Sequence, residues 1–286
     1  MTPLGVFLAE LSHARRAVVA DGAWSTELYA RGVDRSRPAE FANLERAGLV
    51  KAVAAEYLAS GAKLLSTNTF CGNAIALAAR GVDNVDVAAL CDAGARLARE
   101  AVSGPAYVVG VVGPTGAIMS IGERPIDELR DAFRTSIQAL IDAEVDGLCF
   151  ETFSETTELL LAVEIARELC DLPIIASMSF DAGPQRTRSA GGEEAADVAK
   201  ALDDAGVDVI GANCGAGFAH ALPAVVALRA NTKRPILARP SGGVPDLVDG
   251  VPAYDVDLDD FGAAMRDLID AGANILGGCC GIGPGH

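Results

Sequence analysis

Basic residues, aromatic residues and long apolar runs are all scarce in this 286-residue sequence. Lysine and arginine number 23 against 39 aspartates and glutamates, and the formal net charge is −16. Because nucleic acids and anionic membranes are bound through positive charge, this balance argues against both as partners. No stretch approaches the ~20 apolar residues of a membrane span. Residues 1–16 lack the apolar core of a secretory signal, so none is expected.

Disulfide bonds are also not expected. The seven cysteines are an odd number, and two of them are adjacent. A chain of this length can bury roughly 75% of its extended surface, so it needs no covalent staples. Free thiols are typical of a reducing compartment. We therefore predict a cytoplasmic protein whose thiols are available for a metal or for catalysis.

Short apolar runs alternate with amphipathic segments from one end of the chain to the other. Eight of the runs are typical of buried parallel strands: residues 17–20, 63–67, 106–112, 147–151, 173–178, 207–213, 235–238 and 274–278. Most are followed by a segment of helical period. No linker rich in Pro, Gly or Ser divides the chain. This pattern predicts an α/β protein with one domain, residues 1–286, folded as a (βα)8 TIM barrel. A doubly wound open sheet is the alternative.

The predicted barrel is irregular at its end. The chain stops at His286, just after the eighth predicted strand, so the eighth outer helix is missing from the sequence. We expect either a trimmed chain or a neighbouring subunit that covers this flank. The second possibility predicts a homo-oligomer.

Polar residues and glycine turns cluster at the C-terminal ends of the predicted strands, where TIM barrels build their active sites. Six strands end in this way, with Asp21-Gly22, Thr67-Asn68-Thr69, Gly113-Pro114-Thr115-Gly116, Glu151-Thr152, Asn213-Cys214-Gly215 and Gly277-Gly278-Cys279-Cys280-Gly281. The opposite strand ends carry no comparable set. One rim of the barrel is therefore the predicted functional site.

Three thiols on this rim, Cys214, Cys279 and Cys280, predict a zinc site. Zinc takes thiolates tetrahedrally at about 2.3 Å, and a catalytic site leaves one position open. Adjacent cysteines reach one metal only at a sharp turn, which Gly278 and Gly281 permit. The spacing matches no zinc finger, so packing as small hydrophobic residues is the alternative for these thiols. Packing is what we expect of the others: Cys71, Cys91, Cys149 and Cys170.

Asp21 and Glu151 are carboxylates at the ends of buried strands, where a charge is costly unless it is paired. One interpretation is structural, as a salt bridge or a helix cap. The other is that the two acids bind an ammonium group of the substrate. The residues alone leave both open.

Taken in order, these motifs resemble those of homocysteine S-methyltransferases. The family includes betaine- and S-methylmethionine-dependent enzymes and the homocysteine-binding module of cobalamin-dependent methionine synthase. The similarity covers nearly the whole chain, and Asn-Cys with Gly-Gly-Cys-Cys-Gly is its most specific part. The segments that carry it are 21–28, 67–70, 113–116, 150–154, 211–214 and 277–281.

The resemblance implies a zinc-dependent enzyme that methylates the homocysteine thiol to give methionine. It implies one Zn²⁺ per chain, held by Cys214, Cys279 and Cys280. It also implies which residues bind the substrate. Asp21 and Glu151 would bind its amino group, and backbone amides around Gly22, Ala23 and Thr26 would bind its carboxylate. Asn68 would also contact the substrate. A free thiol with a pKa near 8.5 is mostly protonated at neutral pH, and coordination to zinc would convert the homocysteine thiol to the reactive thiolate.

The sequence leaves the fourth zinc ligand and the methyl donor open. Ser241 stands where the methionine synthase module usually carries Asn, so the resting ligand is either Ser241 or water. The donors considered are methylcobalamin on a separate corrinoid protein, S-methylmethionine and betaine. Two other functions are kept: a zinc-free lyase or isomerase binding a phosphate at Gly277 to Gly281, and a catalytically idle zinc barrel within a larger complex.

Overall fold

The computed structural model describes residues 1–13, 17–248 and 251–286; residues 14–16, part of the segment analysed for a secretory signal, lie outside it. The strands are β1 Val18–Val19, β2 Leu64–Ser66, β3 Tyr107–Val112, β4 Gly147–Phe153, β5 Ile174–Met178, β6 Val209–Cys214, β7 Ile236–Pro240, β8 Asp246–Val248, β9 Val251–Ala253 and β10 Ile275–Leu276. The α-helices are α1 Pro3–His13, α2 Ser25–Ala30, α3 Ala42–Glu45, α4 Ala47–Ala59, α5 Ala74–Ala78, α6 Val87–Ala101, α7 Ile126–Asp142, α8 Thr156–Leu169, α9 Ala195–Asp204, α10 Leu222–Asn231 and α11 Leu258–Asp270.

Eight parallel strands form a closed barrel, which confirms the predicted (βα)8 fold. The hydrogen-bonded order is β1-β10-β7-β6-β5-β4-β3-β2, and a parallel bridge between Ala20 and Leu64 joins β1 back to β2. Closure excludes the open sheet. All eight predicted strands are present, each within a few residues of its predicted bounds. The antiparallel hairpin of β8 and β9 lies outside the barrel and was not predicted.

The N-terminal helix α1 closes one mouth of the barrel. Leu4, Leu8 and Leu11 are each at most 2% exposed and belong to one buried cluster with inward-facing strand residues such as Val209 and Ile275. Contacts with Gly147 and Tyr107, at the N-terminal ends of β4 and β3, place α1 at the end opposite the predicted site. The sequence analysis did not predict this helix.

Shortening Leu8 to alanine should therefore destabilise the whole domain. Large-to-small substitutions of fully buried leucine cost about 2–5 kcal/mol, because apolar contact is lost and a cavity remains. Val6 lies on the same helix but is 45% exposed, and Val6→Ala should cost less than about 0.5 kcal/mol. Urea unfolding of both variants measures the difference. Equal stability of the two would mean that α1 does not close the barrel.

No helix follows β10 in residues 277–286, as the sequence indicated. The flank between α11 and α4 is instead a groove of about 230 Å³, walled by Tyr57, Phe261, Met265 and the final residues. In the described part of the chain, no helix is both long enough and apolar enough to cross a bilayer. Cytoplasmic location and homo-oligomerisation stay predictions.

Candidate thiol and metal site

Cys214, Cys279 and Cys280 meet at the C-terminal rim of the barrel. Their sulfur atoms all lie within 4.8 Å of one another, and the sulfurs of Cys279 and Cys280 are 4.0 Å apart. Thiolates on one tetrahedral zinc, each at about 2.3 Å, would be separated by roughly 3.8 Å. The sequence separation of 65 residues is bridged by β7, because the Pro240 carbonyl accepts the Cys279 amide. The three thiols therefore suit a single metal ion.

Tight turns aim these thiols at one point. Cys214 has a φ of 63° at the end of β6, a left-handed conformation that is uncommon for a non-glycine residue. Gly281 has a φ of 81°, and a Cβ there would lie 2.3 Å from the ring of Tyr254. At Gly278 a Cβ would lie 2.2 Å from the Ile282 side chain. Gly281 thus permits a sharp turn, as predicted, whereas Gly278 is required because there is no space for a side chain.

The clustered thiols resist ionisation. The hydrogen bond with Cys279 raises the pKa of Cys214 to about 12, and the hydrogen bond with Cys214 raises that of Cys280 to about 11. Burial adds to both shifts, because it disfavours the charged form. A divalent cation among the sulfurs would reverse this, since it favours the thiolates. The chemistry of the donor set points to a soft metal ion.

A pocket of about 170 Å³ opens beside the thiols. Residues from β1, β2, β3, β4, β6, β7 and β10 or from the segments that follow them line it. They include the three cysteines and Gly22, Ala23, Trp24, Ser25, Thr26, Asn68, Glu151 and Arg239. Of the predicted zinc-binding cysteines and substrate residues, all except Asp21 line this pocket. The prediction that one rim carries the site agrees with this placement.

The two predicted carboxylates have different surroundings. The Asp21 side chain is fully buried. It accepts hydrogen bonds from Trp24 Nε1 and from the amide and hydroxyl of Ser66, and it forms an ion pair with Arg239. Glu151 faces the pocket, 13% exposed, with Oε2 at 3.0 Å from Arg239 Nη1. Burial raises the pKa of Glu151, and Arg239 opposes that shift. Glu151 is the acid that a small molecule can reach.

The family model for homocysteine S-methyltransferases matches residues 18–286 of this sequence. The chain belongs to that family. The match includes every strand of the barrel and begins after α1.

The relatives of this chain are of two kinds. The methionine synthase of Mycobacterium tuberculosis is 27% identical over 96% of this chain and 24% of its own length, so the chain spans about a quarter of that protein. Homocysteine S-methyltransferase YbgG of Bacillus subtilis is 27% identical over 93% of this chain and 91% of its own. The family thus joins long and short proteins over the same barrel.

Among solved structures, the homocysteine methyltransferase MmuM of Escherichia coli in its metallated form has a TM-score of 0.79 and 26% identity. It covers 97% of this chain and 96% of its own. The carboxyl transferase domain of pyruvate carboxylase from Rhizobium etli also matches, with a TM-score of 0.58 at 14% identity. That second likeness shows the barrel fold alone.

Several of the predicted substrate residues already make hydrogen bonds within the protein. The Ala23 amide donates to the Ile282 carbonyl, and Thr26 Oγ1 accepts the Gly281 amide. Asn68 donates to Asn43 Oδ1 and to the Ala39 carbonyl, which leaves its own Oδ1 for a ligand. These contacts fix the walls of the pocket. Their roles in binding stay predictions.

Ser241, considered as a fourth metal ligand, is engaged elsewhere. Its hydroxyl donates to the Gly215 carbonyl at 2.6 Å, and it is 2% exposed. It is not one of the residues that line the pocket. The geometry therefore favours a fourth position that faces the pocket over one taken by the serine.

The glycine turn considered as a phosphate site has few free donors. The amides of Gly277, Gly278, Cys279 and Gly281 donate to Ala238, Asp21, Pro240 and Thr26. An anion site at such a turn needs amides that point at the ligand. The turn serves to place the two cysteines.

Arg239 was not predicted as a site residue, and Asn213 was named only as part of the rim. Arg239 lies two positions after the inward-facing Leu237 on β7, so strand alternation places it inside the barrel, one layer nearer the rim. Asn213 accepts the amide of Thr152 and donates to its hydroxyl, at 2.8 and 2.6 Å. This holds Thr152 at a φ of 65° directly after Glu151. The alternation of inward-facing and outward-facing residues along β7 could have identified Arg239 as an inward-facing residue from the sequence.

Proposed function

We propose that this protein transfers a methyl group to the thiol of homocysteine, giving methionine, with Zn²⁺ bound by Cys214, Cys279 and Cys280. The observation that carries the proposal is the meeting of three thiols beside a small pocket lined by Glu151, in a chain of this family. When bound there, zinc would hold an incoming thiol as the nucleophilic thiolate. The S–CH3 bond forms as the bond from methyl to donor breaks.

The protein's own residues would orient the amino acid. Glu151 presents a carboxylate to the pocket, and we assign it the ammonium group. Asp21, also predicted to bind the ammonium group, would act indirectly through Arg239 and Glu151, since its carboxylate already accepts three hydrogen bonds and forms an ion pair with Arg239. No described residue accepts a hydrogen bond from the backbone amide of Ser25 or of Thr26. Both residues line the pocket, so these amides can donate hydrogen bonds to the carboxylate of the substrate.

The methyl donor is part of the same proposal. Similarity to methionine synthase supports methylcobalamin carried by a separate corrinoid protein. S-methylmethionine and betaine are the other donors to test, because YbgG and MmuM match this chain over nearly their whole length. A screen of the three donors with homocysteine as acceptor, followed by methionine formation, decides among them.

Binding of homocysteine to the zinc-loaded protein tests the proposal directly. A thiol with a solution pKa near 8.5 must lose its proton to bind a metal. Calorimetry near pH 7, in buffers of different ionisation enthalpy, should therefore report about one proton released per homocysteine. Methionine, which has no thiol proton, should bind far more weakly.

Cobalt in place of zinc provides an optical control. Addition of homocysteine should change the visible spectrum of the cobalt protein. If homocysteine binds without a spectral change, its thiol does not reach the metal and the proposal is wrong. If the protein holds zinc and binds no homocysteine, it is an idle zinc barrel.

A further inference from the structure

Arg239 is a buried cation that connects the strand ends around the pocket. Its side chain is 6% exposed. From β7 it reaches two carboxylates, one hydroxyl and two carbonyls, which belong to the ends of four other strands. These acceptors are Asp21, Gly22, Ser66, Glu151 and Gly278, at 2.9 to 3.2 Å. No metal or substrate is needed to explain these contacts.

The charges of this cluster do not cancel. Two carboxylates and one guanidinium leave one net negative charge in a buried position. A buried charge without a partner is costly, so the cluster favours one further cation. Arg239 donates a hydrogen bond to Oε2 of Glu151, and no described residue donates one to Oε1. Because Glu151 lines the pocket, that oxygen is where an ammonium group can bind.

Arg239 also fixes the direction in which Glu151 presents this oxygen. Asp21 is held by Trp24 and Ser66, and it holds the guanidinium in turn. A planar guanidinium contacts several acceptors at once in a rigid arrangement, which an ammonium on a flexible stem does not reproduce. The orientation of Glu151 thus depends on a chain of contacts that starts at Asp21.

We propose that Arg239 is a positioning residue that sets the acceptor specificity of the pocket. By binding Asp21 and one oxygen of Glu151, it leaves one carboxylate oxygen for one ammonium group. The pocket therefore selects thiols that carry a free amino group. This inference rests on the proposed function, because it takes the acceptor to be a thiol that binds beside Cys214, Cys279 and Cys280.

The test compares two thiols that differ in one group. Homocysteine and 4-mercaptobutanoate share the thiol and the carboxylate, and the second lacks the amino group. Their dissociation constants are measured by calorimetry on zinc-loaded protein. We expect homocysteine to bind wild-type protein about 10- to 150-fold more tightly, the range for a hydrogen bond to a charged group.

Arg239→Met should reduce this ratio to within about threefold of unity. The zinc content and the affinity for 4-mercaptobutanoate should change little. Arg239→Lys, which keeps the charge without the planar geometry, should give an intermediate ratio. Arg134→Met, on the exposed face of α7, is the matched control and should keep the wild-type ratio.

A merely structural role would weaken both thiols in parallel, so an unchanged or increased ratio in the Met variant overturns the proposal. A wild-type ratio near one also overturns it. If the Met variant fails to fold, the Lys variant decides, because an unchanged ratio there contradicts the proposal. If no donor methylates homocysteine while the ratio behaves as expected, the proposed methyl transfer fails, and the role of Arg239 in binding amino thiols beside the three cysteines stands.

Discussion

Replacing Cys279 with serine should remove the metal and with it the methyl transfer. Cys279 is partly buried, lines the pocket and places its sulfur within 4.8 Å of the sulfurs of both Cys214 and Cys280. A hydroxyl is a poor substitute for thiolate as a zinc ligand. Mutating a residue that only hydrogen-bonds to a metal ligand already lowers metal affinity about 10- to 100-fold. Removing a ligand itself should therefore lower the zinc affinity by more than that.

Elemental analysis after dialysis, together with methionine formation, measures both effects. The control is Cys170→Ser, at the end of α8 and outside the thiol cluster. That variant should keep about one zinc per chain and full activity. Retention of tightly bound zinc by Cys279→Ser would show that the three thiols are not the metal site, whatever reaction the protein catalyses.

Replacing Glu151 with glutamine should weaken homocysteine binding about 10- to 150-fold while zinc stays bound. Glutamine keeps the shape of the side chain and removes its charge, and a hydrogen bond to a charged group contributes about 1.5–3 kcal/mol. Calorimetry with homocysteine and metal analysis of the same sample measure both quantities. Glu164→Gln on the exposed face of α8 is the control and should change neither.

Asp21→Asn should have a different effect, because Asp21 is fully buried, accepts three hydrogen bonds and forms an ion pair with Arg239. Breaking its contact with Arg239 should cost about 3–5 kcal/mol of stability. Urea unfolding should show the loss in Asp21→Asn and little change in Glu151→Gln. Equal loss of homocysteine affinity without loss of stability in both variants would mean that both acids contact the ammonium directly.

The sequence determined the repeating architecture and most of the rim. Buried parallel strands are apolar along their whole length, so each of the eight can be recognised without its neighbours. The polar residues at the strand ends could then be assigned to one rim, since parallel strands in a barrel all end on the same side. Cys214, Cys279, Cys280, Glu151 and the Gly22 turn were found in this way.

Tertiary structure alone decided which polar groups bind each other. Asp21 and Glu151 are equivalent in sequence, each a carboxylate at a strand end, yet one is saturated by the protein and the other faces the pocket. The difference comes from Arg239, which is 218 residues away from Asp21 along the chain and 88 from Glu151. No local pattern specifies such a pairing.

The same limit applies to α1 and to Ser241. The leucines of α1 have an ordinary helical spacing. Only the geometry of the closed barrel shows that they fill its mouth at the N-terminal ends of the strands. Ser241 follows β7 at the rim, but its hydroxyl turns to the Gly215 carbonyl. Strand and helix periods are local properties of the chain. Contacts between side chains of distant strands depend on the barrel's closure and stagger, which bring those strands together only after folding.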